Sequence, residues 1–264
     1  MTAGSQVSGD GAPATQPDLV ALFVSDVHLT SALPQTTASL LQLFTHRARF
    51  AKQVYLLGDM FEYWVGDDDL NDPYHLAVAD ALKALTVAGI QVFWIAGNRD
   101  FLLGEAFAAY TGMQLLSDPC EVHIAGQHII LTHGDALCTD DLAYMQFRSV
   151  VRQPAWQAQF LSQPLEQRKQ IVQGMRAQSR MQQAEKAAEI MDVNLNAVDN
   201  LFAQFAALTL IHGHTHRPAL HSDGLRQRIV LPDWDCDKDQ ARGGWLEIDT
   251  AGRFKRCTLK DLPE

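Results

Sequence analysis

The chain has 264 residues, 47% hydrophobic and 20% charged, a balance that suits a soluble globular protein with a sizeable core. A formal net charge of −10 argues against a broad nucleic-acid-binding face but leaves room for a local cationic pocket. Cys120, Cys138, Cys236 and Cys257 are scattered, which excludes a dense disulfide framework, and no apolar run approaches the ~20 residues needed to span a bilayer. A cytoplasmic protein is expected.

Residues 1–18 are rich in Ser, Gly, Ala, Thr, Gln and Pro, with neither a basic start nor an apolar stretch, and predict a disordered tail. Residues 19–264 predict one α/β domain. Its first strand, Leu22-Phe23-Val24, runs into Asp26 and His28. A helix follows from Thr36 to Arg49, then a strand, Val54 to Leu57, ending in Gly58-Asp59. Asp67, Asp68 and Asp69 predict a solvated acidic turn. Asp72-Pro73 opens the next helix with a cap and a first-turn proline, and Gly89 closes it. Val92 to Ile95 leads into Gly97-Asn98-Arg99-Asp100, and a shorter helix from Phe101 to Tyr110 stops before Gly112. Ile129 to Leu131 leads into His133-Gly134-Asp135, and Leu208 to Ile211 into Gly213-His214-Thr215-His216. Arg228 to Leu231, Trp245 to Ile248 and Phe254 to Leu259 predict three more strands of undetermined order.

Continuous apolar runs bounded by glycine suit strands buried on both faces. Ligands of open α/β sheets bind beyond the carboxyl ends of the strands. The five polar clusters are therefore expected on one edge of one sheet. Between them, residues 139–207 far exceed a crossover connection and predict a helical insertion capping that edge. From Leu142 to Met191 this insertion carries a net charge of +4 within an acidic chain. Ser179, Gln183 and Lys186 fall at i, i+4 and i+7, on one helical face with Arg176 a turn earlier.

Asp26, His28, Asp59, Asn98, His133, His214 and His216 offer oxygen and nitrogen donors with no thiolate. That set suits Mn2+, Fe2+ or Zn2+ in expanded coordination. Two cations ~3.5–4 Å apart need a bridging anion, a part that suits Asp59. Glu62, Asp100 and Asp135 are candidates to orient ligand imidazoles or Arg99 from behind. His46, His75, His123, His128, His212 and His221, with Cys138, Trp234 and Trp245, are read as structural.

The ordered set DxH, GD, GN, H and GHxH resembles the calcineurin-like metallophosphoesterases. That resemblance implies a two-sheet α/β sandwich flanked by helices. It puts Asp26, His28, Asp59 and His216 on one metal, and Asp59, Asn98, His133 and His214 on the other. The family's histidine after the asparagine is Arg99 here, a departure that favours pyrophosphate cleavage. A phosphate-monoester leaving group, with a second pKa of ~6, needs little protonation, so Arg99 can clamp phosphate instead.

Longer strings narrow the resemblance. Gly58-Asp59-Met60-Phe61-Glu62-Tyr63-Trp64-Val65-Gly66-Asp67-Asp68, His133 to Asp141, Ile190-Met191-Asp192-Val193-Asn194 and His212 to Pro218 resemble the UDP-2,3-diacylglucosamine diphosphatases. The resemblance implies hydrolysis of UDP-2,3-diacylglucosamine to UMP and 2,3-diacylglucosamine 1-phosphate, a step toward lipid A, with two Mn2+ activating a water that attacks the α phosphorus. It implies catalytic roles for Asp59, Arg99 and His214. It implies substrate contacts from Asn98, Arg99, Asp141, Ser179, Lys186 and His214, and from Gln183 where Asn is usual. It also implies a monomer attached peripherally to the cytoplasmic face of the inner membrane. Two other readings stay open: a metallophosphoesterase acting on another nucleotide or phosphodiester, and a non-catalytic scaffold keeping the fold.

Overall fold

The computed structural model describes residues 19–185 and 192–262. Four parallel strands are built from the early apolar runs: β1 (Leu19–Val24), β2 (Gln53–Leu56), β3 (Gln91–Ile95) and β4 (Gln114–Leu116). Their connections are helices α1 (Pro34–His46), α2 (Pro73–Val87) and α3 (Glu105–Thr111). β5 (Cys120–Ile124) and β6 (Gln127–Leu131) form a hairpin. α4 (Leu142–Val151), α5 (Pro154–Leu161), α6 (Leu165–Glu185) and α7 (Leu195–Phe205) come next. The chain ends with β7 (Thr209–His212), β8 (Ala219–Asp223), β9 (Arg226–Val230), β10 (Gly244–Asp249) and β11 (Phe254–Thr258).

These strands make two sheets, in the orders β11-β10-β1-β2-β3-β4 and β5-β6-β7-β9-β8. The expectation of one sheet is thereby corrected: β1, β2 and β3 lie in the first sheet, β6 and β7 in the second. Period-two alternation shows why both faces are apolar. Phe23, Tyr55 and Ile95 point between the sheets to meet Ile129, Leu131 and Ile211. Leu22, Val54 and Trp94 point outward against Leu43, Leu82 and Phe107 of the first three helices. On the second sheet's outer face Ile130 and Leu210 meet Val198, Leu201 and Phe202 of α7.

Helix boundaries follow their caps. Asp72 accepts a hydrogen bond from the Tyr74 amide, opening α2 with Pro73 in its first turn. α3 begins at Glu105, four residues after the expected start, because its cap is remote in sequence. Asp67 accepts from the amides of Gly104, Ala106 and Phe107 at 2.9–3.0 Å. The acidic turn is solvated only at Asp68: Asp67 caps α3, and Asp69 is 1% exposed, paired with Lys169 at 2.6 Å and His75 at 3.3 Å. β4 and β8 carry no clear apolar alternation, β8 being an exposed edge strand, whereas β5, Cys120-Glu121-Val122-His123-Ile124, does alternate and was a strand signal that sequence reading passed over.

Candidate metal centre

At the carboxyl ends of β1, β2, β3, β6 and β7 the polar clusters meet across the seam between the sheets. Parallel strands within each sheet bring their loops to a common end. The seam is crossed by the His214 amide donating to Asp26 at 2.9 Å and by His133 Nδ1 donating to the Leu57 carbonyl at 2.9 Å, and within each sheet the loops are joined to one another. The Asp26 amide donates to the Gly58 carbonyl at 3.1 Å, the His28 amide to Asp59 at 3.0 Å, and the Gly213 amide to His133 at 3.0 Å.

Asp26, His28, Asp59, His214 and His216 all have positive φ, between 51° and 64°. Non-glycine residues in that left-handed region cost of order 1–3 kcal/mol each and persist where surrounding structure over-determines them. Five candidate ligands therefore share one kind of backbone strain. Close approach also explains two glycines. A Cβ on Gly97 would run into the Asp59 amide and carboxylate, and one on Gly213 into the Asp26 carboxylate and the Ser25 hydroxyl.

Two groups of donor atoms converge within 4.8 Å of one another: Asp26 with His28 and His216, and Asp26 with Asp59 and His133. Asp26 is common to both groups, whereas Asp59 joins only the second. Asn98 Oδ1 lies 3.0 Å from His133 Nε2 and 2.8 Å from His214 Nδ1, so Asn98, His133 and His214 form a third knot. The His28 and His216 Nε2 atoms are 3.2 Å apart. All seven candidate ligands are brought together.

The donor set fits a cation. Asp26 Oδ1 is buried and faces only the long contact to His216 Nε2 at 3.4 Å, although its partner oxygen takes the Ser25 hydroxyl at 2.6 Å and the His214 amide at 2.9 Å. His133 donates from Nδ1 to the Leu57 carbonyl at 2.9 Å, which aims Nε2 inward. A fixed tautomer of this kind is how proteins present imidazole to a metal. His28 Nδ1 sits 3.2 Å from Glu62, and His216 Nδ1 3.5 Å from Asp233. Electrostatics agree. Burial opposes a charge on His133, yet Asp59, Asp26 and Asp135 outweigh it and push that imidazole up to about 9. Burial, with His133 nearby, pushes His214 down to about 4. Burial opposes ionisation of Asp26, but His216, His133 and His28 hold it well below the usual carboxylate range. The buried carboxylates thus favour positive charge on His133, while burial disfavours it on His214 and His28.

Arg99 stands at the rim. Its amide donates to Asp59 Oδ1 at 2.8 Å, and its guanidinium lies 3.8 Å from Asp59 and 3.5 Å from Glu62. Arg176 of α6 pairs with the same Glu62 and lies over the Tyr63 ring at 5.4 Å. Asp100 does not touch an imidazole. It accepts from the amides of Gly97 and Met60 at 2.8 Å and of Asp59 at 3.3 Å, tying two ligand loops together. Asp135, also expected behind an imidazole, instead takes the Tyr144 hydroxyl at 2.5 Å and Arg148 at 2.8 Å from α4.

Among the expected substrate contacts, Asp141 is the N-cap of α4 and accepts from the Tyr144 amide at 3.0 Å. Ser179 and Gln183 fall within α6, and Lys186 lies outside the described residues. Sequence reading missed Asp233, although Ile229 to Leu231 running into Asp233 repeats the pattern that found the other clusters. It also missed Arg152, which donates to the Gly97 carbonyl at 2.9 Å. Of the six histidines set aside, His212 is fully buried, donates to its neighbour Gly213 and is pushed down to about 4 by burial.

Comparison with known proteins agrees with this geometry. The calcineurin-like phosphoesterase family model matches residues 19–218. A UDP-2,3-diacylglucosamine hydrolase of Aromatoleum aromaticum is 48% identical over 238 residues, covering 89% of this chain and 97% of that one. One from Aeromonas hydrophila subsp. hydrophila is 48% identical over 217 residues, covering 81% and 90%. One from Stenotrophomonas maltophilia is 46% identical over 249 residues, covering 89% and 100%.

Proposed function

The chain belongs to the calcineurin-like phosphoesterases and, among them, to the UDP-2,3-diacylglucosamine hydrolase family, and from that premise we propose that it hydrolyses the pyrophosphate bond of UDP-2,3-diacylglucosamine. Water attacks the phosphorus nearer uridine, the bond from that phosphorus to the bridging oxygen breaks, and 2,3-diacylglucosamine 1-phosphate leaves UMP behind. The observation that carries the reading is the convergence of seven oxygen and nitrogen ligands, five of them in strained backbone, beneath Arg99.

Asp26, His28, Asp59 and His216 would hold one Mn2+, and Asp59, Asn98, His133 and His214 the other. Two such cations supply Lewis acidity toward phosphate oxygens and a lowered pKa for water. Arg99 clamps the diphosphate and stabilises charge developing on it. His214 and Asn98 meet the phosphate, and Asp141, Ser179, Gln183 and Lys186 hold the rest of the substrate. The helical cap over about residues 139–207 would include α4 to α6. Leu142, Phe147, Val150 and Leu161, exposed on α4 and α5, suit acyl chains and the surface of the inner membrane, to whose cytoplasmic face a monomer attaches peripherally. Among the described residues no helix is long and apolar enough to cross a membrane.

The test is product analysis in heavy-oxygen water with Mn2+ and UDP-2,3-diacylglucosamine. Labelled UMP, lost in Asp59→Ala, is expected. Intact substrate alongside turnover of a simple phosphodiester would exclude the lipid nucleotide and leave a broader phosphoesterase.

A further inference from the structure

Charged side chains almost never go fully inside a protein unless they are paired. Arg168, near the start of α6, is 2% exposed. Its guanidinium donates to the Val65 carbonyl and to the Asp68 carboxylate, and its Nε donates to the Gln163 carbonyl at 2.9 Å. The neighbouring Lys169 reaches the buried Asp69 at 2.6 Å. The loop is shaped around this contact. Gly66 has φ of 131°, and a Cβ there would strike the Arg168 guanidinium and come within 2.8 Å of Leu161. That loop follows directly on Asp59 and Glu62. The foot of α6 is therefore riveted to the metal-binding side of the sandwich by the buried Arg168 and the ion pairs to Asp68 and Asp69, with Ile171 and Val172 packed on the apolar core.

One helical face carries the consequence. Arg168, Val172 and Arg176 succeed one another at i+4, and Arg176 stands over Tyr63 and on Glu62. In sequence, Ser179 and Gln183 follow Arg176 at i+3 and i+7 along the same helix. We propose that Arg168 is a positioning residue for substrate specificity: it sets the pitch of α6 and so the distance of this face from the metal centre. The proposal rests on the assignment of the lipid nucleotide as substrate. Ser179 lies eleven residues beyond Arg168, about 16 Å at 1.5 Å per residue, so a tilt of ~10° at the anchor moves it by about 3 Å. That exceeds the range of a hydrogen bond, and misplacement of ~1 Å already costs around a hundredfold.

The experiment compares wild type with Arg168→Met, Arg168→Lys and Asp68→Asn on two substrates, UDP-2,3-diacylglucosamine and bis(p-nitrophenyl) phosphate, each with Mn2+. Amide hydrogen exchange of α6 is followed in parallel. For Arg168→Met a KM for the lipid nucleotide raised ~10–100-fold is expected, with small-diester turnover within ~2-fold and faster exchange in α6. Arg168→Lys should recover part of the KM. Should Arg168→Met not fold, Asp68→Asn, which removes only the half-exposed partner, should give a smaller rise of the same kind. An unchanged KM, or small-diester turnover falling in step with lipid hydrolysis, would overturn the proposal alone. A wild-type protein inactive on the lipid nucleotide but active on the diester would overturn it together with the substrate assignment.

Discussion

Asp100 holds the site without binding what the site binds. It is fully buried, and its two oxygens gather amides from the loop after β2 and the loop after β3. Burial and the nearby Asp59 carboxylate push it up to about 6. Ionised, it offers an acceptor to every one of those amides; as an amide, one of its atoms becomes a donor and faces N–H groups. Asp100→Asn should therefore loosen the Asp59 and Asn98 loops together, lowering Mn2+ affinity ~10–100-fold, the usual cost of losing a supporting partner. Metal titration by calorimetry would read this, and an unaltered affinity would show that the loops hold their shape without Asp100. The Gly-Asn-Arg-Asp string made Asp100 visible in the sequence, but not its role. Apart from Gly97, its partners are backbone amides some forty residues upstream, and backbone amides leave no signature in residue type.

The elements are tied by charges as well as by apolar faces. Arg47, just past α1, makes a two-pronged pair with Glu247 of β10 at 2.6 and 2.7 Å, and the Trp245 indole donates to the same carboxylate at 2.7 Å. Burial works against the charge on Glu247, but Arg47 and Trp245 outweigh it and hold the carboxyl below its ordinary 4.5. The unfolded chain therefore binds this proton more readily than the folded one. The pair's contribution is complete above pH ~4.5 and fades as pH falls through and below that value. Glu247→Gln should cost about 3 kcal/mol at pH 7, because Arg47 loses its partner in a largely enclosed site. Urea unfolding at pH 7 and pH 4 checks both points: the gap between variant and wild type should narrow in acid. Periodicity had outlined α1 and β10 separately, since each buries an apolar face. Their attachment across two hundred residues had no local sign. The same holds for α3, whose start waits on Asp67 rather than on its own first residues.

On the scale of the whole molecule the metal centre lies at a seam, so occupancy and folding are linked. Asp26 and Asp59 are 0% and 2% exposed, and five candidate ligands hold left-handed backbone that the unfolded chain need not adopt. A cation that binds only the folded form stabilises it by ~2.7 kcal/mol at a hundred times its dissociation constant. For a chain of this size that amounts to roughly 5–10 °C. Chelation should lower the melting temperature by about that much, with recovery on adding Mn2+; calorimetry showing no change would mean that the ligand loops stand without the ion.

The sequence by itself determined the candidate ligand residues, their order and the strands that carry them. Apolar runs buried on both faces and the glycines beside them are local facts that physics reads directly. It also set the donor chemistry, because oxygen and nitrogen ligands without thiolate narrow the cation. Only the tertiary structure decided that β1 to β3 and β6 to β7 belong to different sheets. It alone placed Asp233 behind His216, drew Asp67 and Asp69 of the acidic turn into structural pairs, and ran one face of α6 from a buried arginine toward the site. Those facts depend on which surfaces meet. A strand buried on both faces has the same pattern whether one sheet or two surround it, and a charge finds its partner through space.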